Sequence, residues 1–169
     1  LYYFNLVQVP SFAQMEAPAR MNAIQFLVPR ALLWFRYAAL STVVFGIIWI
    51  IVAGMDTDGD YYDTNAFKSI MVGGGIGIIM FLNVWGIIWP AQKAMLQGKV
   101  PADNLPAVRK RAGLASRINT FLSAPLLFAM LAPHDYGAIN PMTLLAIIVI
   151  GVVSIWHLIK ISPKVGTGV

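Results

Sequence analysis

Asn83 stands inside the apolar run "MFLNVWGIIWP", and Ser116, Asn119, Thr120 and Ser123 recur at i, i+3, i+4 and i+7 in "ASRINTFLSAP". That spacing puts the four side chains on one face of a helix. Asn5 and Gln8, three residues apart in "LYYFNLVQVP", share a face of their own. Polar groups at membrane depth need partners within protein. Two chemistries suit such a set. One is interhelical glue, amide and hydroxyl hydrogen bonds worth on the order of 1 kcal/mol each that hold spans in register. The other is a polar pocket in which Asn83, Asn119 and Arg117 meet an anion or a quinone carbonyl. Glue pairs every amide, whereas a pocket leaves some free, and the sequence favours glue.

The remaining chemical candidates are weaker. His157, in "SIWHLIK", is placed either to ligate a haem or chlorophyll axially or to anchor a helix end beside Trp156 and Lys160. The second histidine, His134, belongs to the opposite end of the chain's spans, so a bis-histidine site within one chain is not expected. The loop "DTDGD" has the clustered carboxylates that hard cations prefer, but Gly59 is the fourth residue from Asp56 and no Glu closes the loop, so it reads as a solvated turn. In "VGGGIGII" no Lys-Ser/Thr pair follows, and Gly73 and Gly77 read as small residues admitting a close neighbouring helix. No catalytic residue and no metal ligand set is assigned. Cysteine is absent, which removes covalent haem, iron-sulfur clusters and thiol chemistry from consideration. Non-covalent haem, quinone or chlorophyll stays open.

What must position these residues is a membrane bundle. Of the 169 residues, 59% are hydrophobic and 11% charged, and the mean hydropathy is +0.72. About 20 apolar residues cross the hydrocarbon as a helix, and four stretches qualify: Leu32 to Gly54, Phe67 to Pro90, Leu114 to Ala132 and Met142 to Ile159. "LYYFNLVQVPSF" reads as the last turns of a truncated amino-terminal helix that ends near Pro10, with Pro90 marking the exit of the second full span. The expected fold is an all-α integral membrane helical bundle occupying residues 1–169 as a single transmembrane domain, with four complete transmembrane helices plus the end of that earlier one.

Charge sets its direction. Arg20, Arg30 and Arg36 lie in one connection, Lys93, Lys99, Arg109, Lys110, Arg111 and Arg117 in another, and Lys160 and Lys164 in the tail. By the positive-inside rule these face the cytoplasm, and "MDTDGDYYDTNAFK" and "APHDYGAINP" face outward. The net charge of +5 therefore belongs to membrane topology and points to no nucleic acid. At 1.5 Å rise per residue, Asn83 lies about 10 Å from the inner boundary and Asn119 about 8 to 10 Å from it. Asn5, Gln8, Asn83, Ser116, Asn119, Thr120 and Ser123, with Arg36 and Arg117, thus belong to one predicted polar layer in the cytoplasmic half of the bundle.

The stretches "LYYFNLVQVPSFAQM", "GIIMFLNVWGIIWPAQKAM" and "RAGLASRINTFLSAPLLFAML" followed by "PHDY" resemble the membrane portion of bacterial membrane-bound urate oxidases, the urate-oxidase N-terminal family. The likeness runs through much of Leu1 to Tyr136, and Asn83, Pro90, Gln92, Ala115, Ser116, Asn119, Leu122 and Pro125 are its matching positions. It implies a multi-span bundle of a bacterial inner membrane and, in the full enzymes, urate oxidation with electrons passed to a fused cytochrome c. The present residues carry no cytochrome motif. The expectation is therefore an accessory, non-catalytic membrane subunit that packs with other integral membrane subunits and lipids in a respiratory or photosynthetic electron-transfer complex, its carboxyl end cytoplasmic. The alternative is a urate-oxidising redox domain that serves a separate cytochrome.

Overall fold

The computed structural model describes the backbone of residues 1–135 and 141–166, with side chains described for 1–131 and 142–166. A π-helical segment, Tyr3–Gln8, runs into α1 (Val9–Gln14). α2 (Ala17–Phe26) and α3 (Val28–Asp56) follow with scarcely a break, because Pro18 and Pro29 fall in first turns, where a missing N–H costs nothing. α4 (Asn65–Asn83) passes through a π-helical segment, Val84–Ile88, into α5 (Trp89–Leu96). α6 (Leu105–Asp135) and α7 (Pro141–Ile161) complete the order, and no strand occurs among the described residues. Four helical stretches are long and apolar enough to cross a membrane: Ala17–Asp56, Asn65–Leu96, Ala102–Leu131 and Met142–Lys164. The protein has the build of a multi-pass membrane helical bundle.

Two prolines behave otherwise than expected. Pro10 and Pro90 do not end their helices, which continue to Gln14 and Leu96. A proline within a helix cannot donate to the carbonyl four residues back, and its ring crowds that carbonyl. Here the preceding turn widens instead. The residue before each proline donates to a carbonyl five residues back, Val9 to Phe4 and Trp89 to Val84. The extra residue per turn accommodates the ring without a break.

α4 and α6 form the central antiparallel pair. Going back along α4 from Asn83 to Gly77 to Gly73, the partners on α6 advance from Asn119 to Leu126 to Met130. Gly73 and Gly77 admit those two side chains, so the close approach is a side chain seated over glycine. A close contact of α7 on α6 lies elsewhere: a Cβ at Gly151 would stand 2.7 Å from the Ala124 Cβ. The Tyr3–Gln14 stretch also runs antiparallel to α6, with Tyr2 against Ser123 and Asn5 against Ser116. One apolar core gathers Val28, Leu32, Val84, Ile88 and Ala115, flanked by Phe4, Phe12, Phe35, Trp85 and Trp89.

At the other end, α3 turns into the acidic loop through Asp58 and Gly59, both with positive φ (49° and 95°). The Gly59 N–H reaches back to the Gly54 carbonyl at 2.9 Å, satisfying an end-of-helix acceptor. Thr64 then caps α4, its hydroxyl accepting from the Phe67 N–H at 3.1 Å. Asp56, Asp58, Asp60 and Asp63 are all exposed, and no group of three metal-binding side chains forms among the described residues. Above the loop, Tyr61 packs edge-on against Trp49, Tyr62 and Phe67 at centroid distances of 5.5 to 6.1 Å. Its hydroxyl is buried without a partner, and burial pushes its pKa above the ordinary tyrosine value. The folded state therefore holds the proton longer than the unfolded one, so stability is expected to fall as the pH rises above about 10. Absorbance titration should find one late phenol among the tyrosines, absent in Tyr61→Phe, and the alkaline loss of stability should shrink in that variant.

Candidate functional site

α6 is the spine of a polar layer that gathers Asn5, Asn83, Ser116, Asn119, Thr120 and Ser123. Its face presents Ser116, Asn119, Thr120 and Ser123 in successive turns toward α4 on one side and the amino-terminal helix on the other. Asn119 (1% exposed) is the most connected. Its Oδ1 accepts from Asn83 Nδ2 at 2.8 Å, and its Nδ2 donates to the Met80 carbonyl at 2.9 Å. α6 is thereby tied to two successive turns of α4. Asn5 donates from Nδ2 to Ser116 Oγ at 2.9 Å and to its own helix at the Leu1 carbonyl, 3.2 Å away. Tyr2 meets Ser123 Oγ at 2.8 Å, and because that hydroxyl gives its proton to the Thr120 carbonyl at 2.6 Å, the phenol is the donor. Thr120, wholly buried, returns its hydroxyl to the Ser116 carbonyl at 3.0 Å.

Glue was expected to pair every amide, and here Asn5, Asn83 and Asn119 all are paired. Gln8 is the exception: its Oε1 is buried with no partner. The other candidates stand apart from the layer. Arg117, two residues before Asn119, points off that face, exposed and without a hydrogen bond or ion pair. His157 is likewise exposed and unbonded, one residue from Trp156, whose ring carries the Lys160 ammonium at 4.9 Å. That is the geometry of an interfacial anchor. The side chain of His134 lies outside the described residues.

Two features escape a reading by residue pattern. Tyr2 joins the layer although nothing marks a terminal tyrosine as polar glue, save that it precedes Asn5 by three residues and so shares its face. Arg36 does not join the layer. Its guanidinium lies over Trp89 at 3.9 Å, with Tyr37 and Trp85 at 4.9 and 5.1 Å.

Antiparallel spans bound by buried amides, with their outer surfaces apolar, define a polytopic helical-bundle protein whose polar groups face inward. The sequence signature of the urate oxidase N-terminal family matches residues 48–164, and the chain belongs to that family. The match takes in α4, α6, α7 and most of the polar layer, leaving Asn5 and Gln8 before its start. No match to a curated protein or to a solved structure was found.

Proposed function

We propose that this chain is an accessory, non-catalytic subunit of a bacterial inner-membrane electron-transfer complex, respiratory or photosynthetic, with its carboxyl end in the cytoplasm. The observation that supports the reading is how its polar side chains are used. Asn5, Asn83, Ser116, Asn119 and Ser123 take part in hydrogen bonds that hold helices together, and Thr120 returns its hydroxyl to its own helix. Outward, α3 and α7 offer large apolar side chains, among them Phe45, Ile48, Val149 and Ile150, to lipid or to neighbouring spans. Isolation in mild detergent should recover the chain with integral membrane redox subunits, and the absorption spectrum of that material identifies any haem or chlorophyll. Recovery as a free monomer, with every redox activity of the membrane unchanged on deletion, would refute it. A carboxyl-terminal reporter active only in the cytoplasm tests the orientation.

The family membership favours a second reading, a urate-oxidising domain that hands electrons to a separate cytochrome. Membranes containing the chain would then reduce a cytochrome when urate is added, and Asn119→Ala would abolish the reduction. No urate-dependent reduction with the protein present counts against it.

A further inference from the structure

α3 carries no Asp, Glu, Lys or Arg between Arg36 and Asp56. Twenty helical residues rise about 30 Å, the thickness of the bilayer hydrocarbon. With Asp56 at one surface, Arg36 therefore stands at the headgroup plane of the other. Lys93, exposed and without a partner, lies one helical turn beyond Trp89 and on the same face of α5.

Among the described residues, no acceptor is hydrogen-bonded to Arg36. Trp89, Tyr37 and Trp85 supply aromatic faces, which hold a cation but accept no strong hydrogen bond. The guanidinium makes no hydrogen bond and no ion pair, its Nε is buried without a partner, and the indole Nε1 of Trp85 is buried without one too. The guanidinium carbon stands 5.1 Å from the centroid of the Trp85 ring, and leaving both donors orphaned costs free energy that phosphate oxygens would recover. A guanidinium offers a planar fork of donors that fits the oxygens of a phosphate.

We propose that Arg36, Trp85 and Lys93 form a binding site for the phosphodiester of an anionic phospholipid headgroup. Trp89 backs the guanidinium and fixes its plane. Arg36 is the adjustable member, and a rotamer change on its long side chain brings the guanidinium and the Nε1 edge of the Trp85 indole to oxygens of one phosphate. The acyl chains then run along the exposed apolar face of α3, over Ile47.

The test uses the whole chain with Trp34, Trp49 and Trp156 replaced by Phe, so that only Trp85 and Trp89 report. In phosphatidylcholine bilayers, brominated phosphatidylglycerol should quench their fluorescence with an apparent affinity about fivefold above that of brominated phosphatidylcholine. Arg36→Gln should abolish the preference, whereas Arg109→Gln, an exposed cation on α6, should leave it intact. Circular dichroism checks insertion. Should Arg36→Gln not fold, Trp85→Phe keeps the ring and removes the N–H, and it should lower the preference at Trp89 measurably. Equal quenching by the two lipids, or a preference that survives loss of both groups, overturns the proposal. So does an Arg36-dependent fluorescence change produced by millimolar inorganic phosphate in pure phosphatidylcholine, which would assign the site to a soluble anion.

Discussion

Asn119→Ala is expected to lower the stability of the bundle in bicelles by about 2 to 3 kcal/mol, the largest loss of any single amide in the layer. The substitution removes two interhelical bonds and leaves both Asn83 Nδ2 and the Met80 carbonyl without their partner on α6. Typical side-chain bonds between membrane helices contribute only about 0.6 to 2 kcal/mol. What raises the figure here is burial: at 1% exposure no water or lipid headgroup replaces the lost amide. Asn83→Ala should cost about 1 kcal/mol, since Asn83 is only half-buried and surrenders one bond. Asn119→Asp should cost at least as much as Asn119→Ala at neutral pH, because a carboxylate buried there has one donor, Asn83 Nδ2, to offset its charge and faces the Met80 carbonyl. The double-mutant cycle of Asn83 and Asn119 should show coupling of about 1 kcal/mol. Losses below half a kcal/mol for both single variants would mean that the layer does not hold α4 to α6.

Gly151→Val should destabilise the packing of α7 on α6 by about 1 to 3 kcal/mol, the range for an overpacked interface. The reason is geometric. Even the first carbon of a side chain at position 151 would stand 2.7 Å from the Ala124 Cβ, an atom that cannot swing aside because it is fixed to the backbone. The helices must separate, and dispersion contacts along the seam weaken with them. Ala124→Gly in the same chain should restore much of the loss, which a general effect of valine on helix propensity would not allow. Gly73→Ala offers the contrast: its new methyl would meet Met130 at 3.1 to 3.2 Å, and the flexible thioether can move away, so the cost should stay below about 1 kcal/mol. Cross-linking between α6 and α7 reads the displacement directly. An unchanged pattern in Gly151→Val would contradict the predicted separation.

Much of this was legible without coordinates because the membrane simplifies the problem. Lipid forces every backbone group into a helix, so a long apolar run reads as a span. Leu32–Gly54 accordingly falls inside α3, and Met142–Ile159 inside α7. The polar layer was legible for the same reason: a periodic row of amides and hydroxyls in a lipid-bound helix has to turn toward protein. Ser116, Asn119, Thr120 and Ser123 do so, and the depth matching that set Asn83 beside Asn119 is realised at 2.8 Å. Pro10 and Pro90 were less legible. Proline states which bond is lost, and the chain's remedy, a widened turn, depends on the neighbours that hold the helix together on both sides.

The residues by themselves determined that the chain is helical, how many long spans it contains and which faces of those spans are polar, because all three follow from local chemistry against a uniform solvent. Only the tertiary structure decided which group each polar side chain would bond. Asn119 takes the Met80 carbonyl, Asn5 takes Ser116, and Gln8 Oε1, on the same helical face as Asn5, receives nothing. Tertiary structure likewise moved Arg36 out of the predicted layer and onto Trp89, and left Arg117 outside. Periodicity states the face of a helix, whereas a hydrogen bond or a ring contact needs two helices at one height and one rotation, and that is a property of the pair.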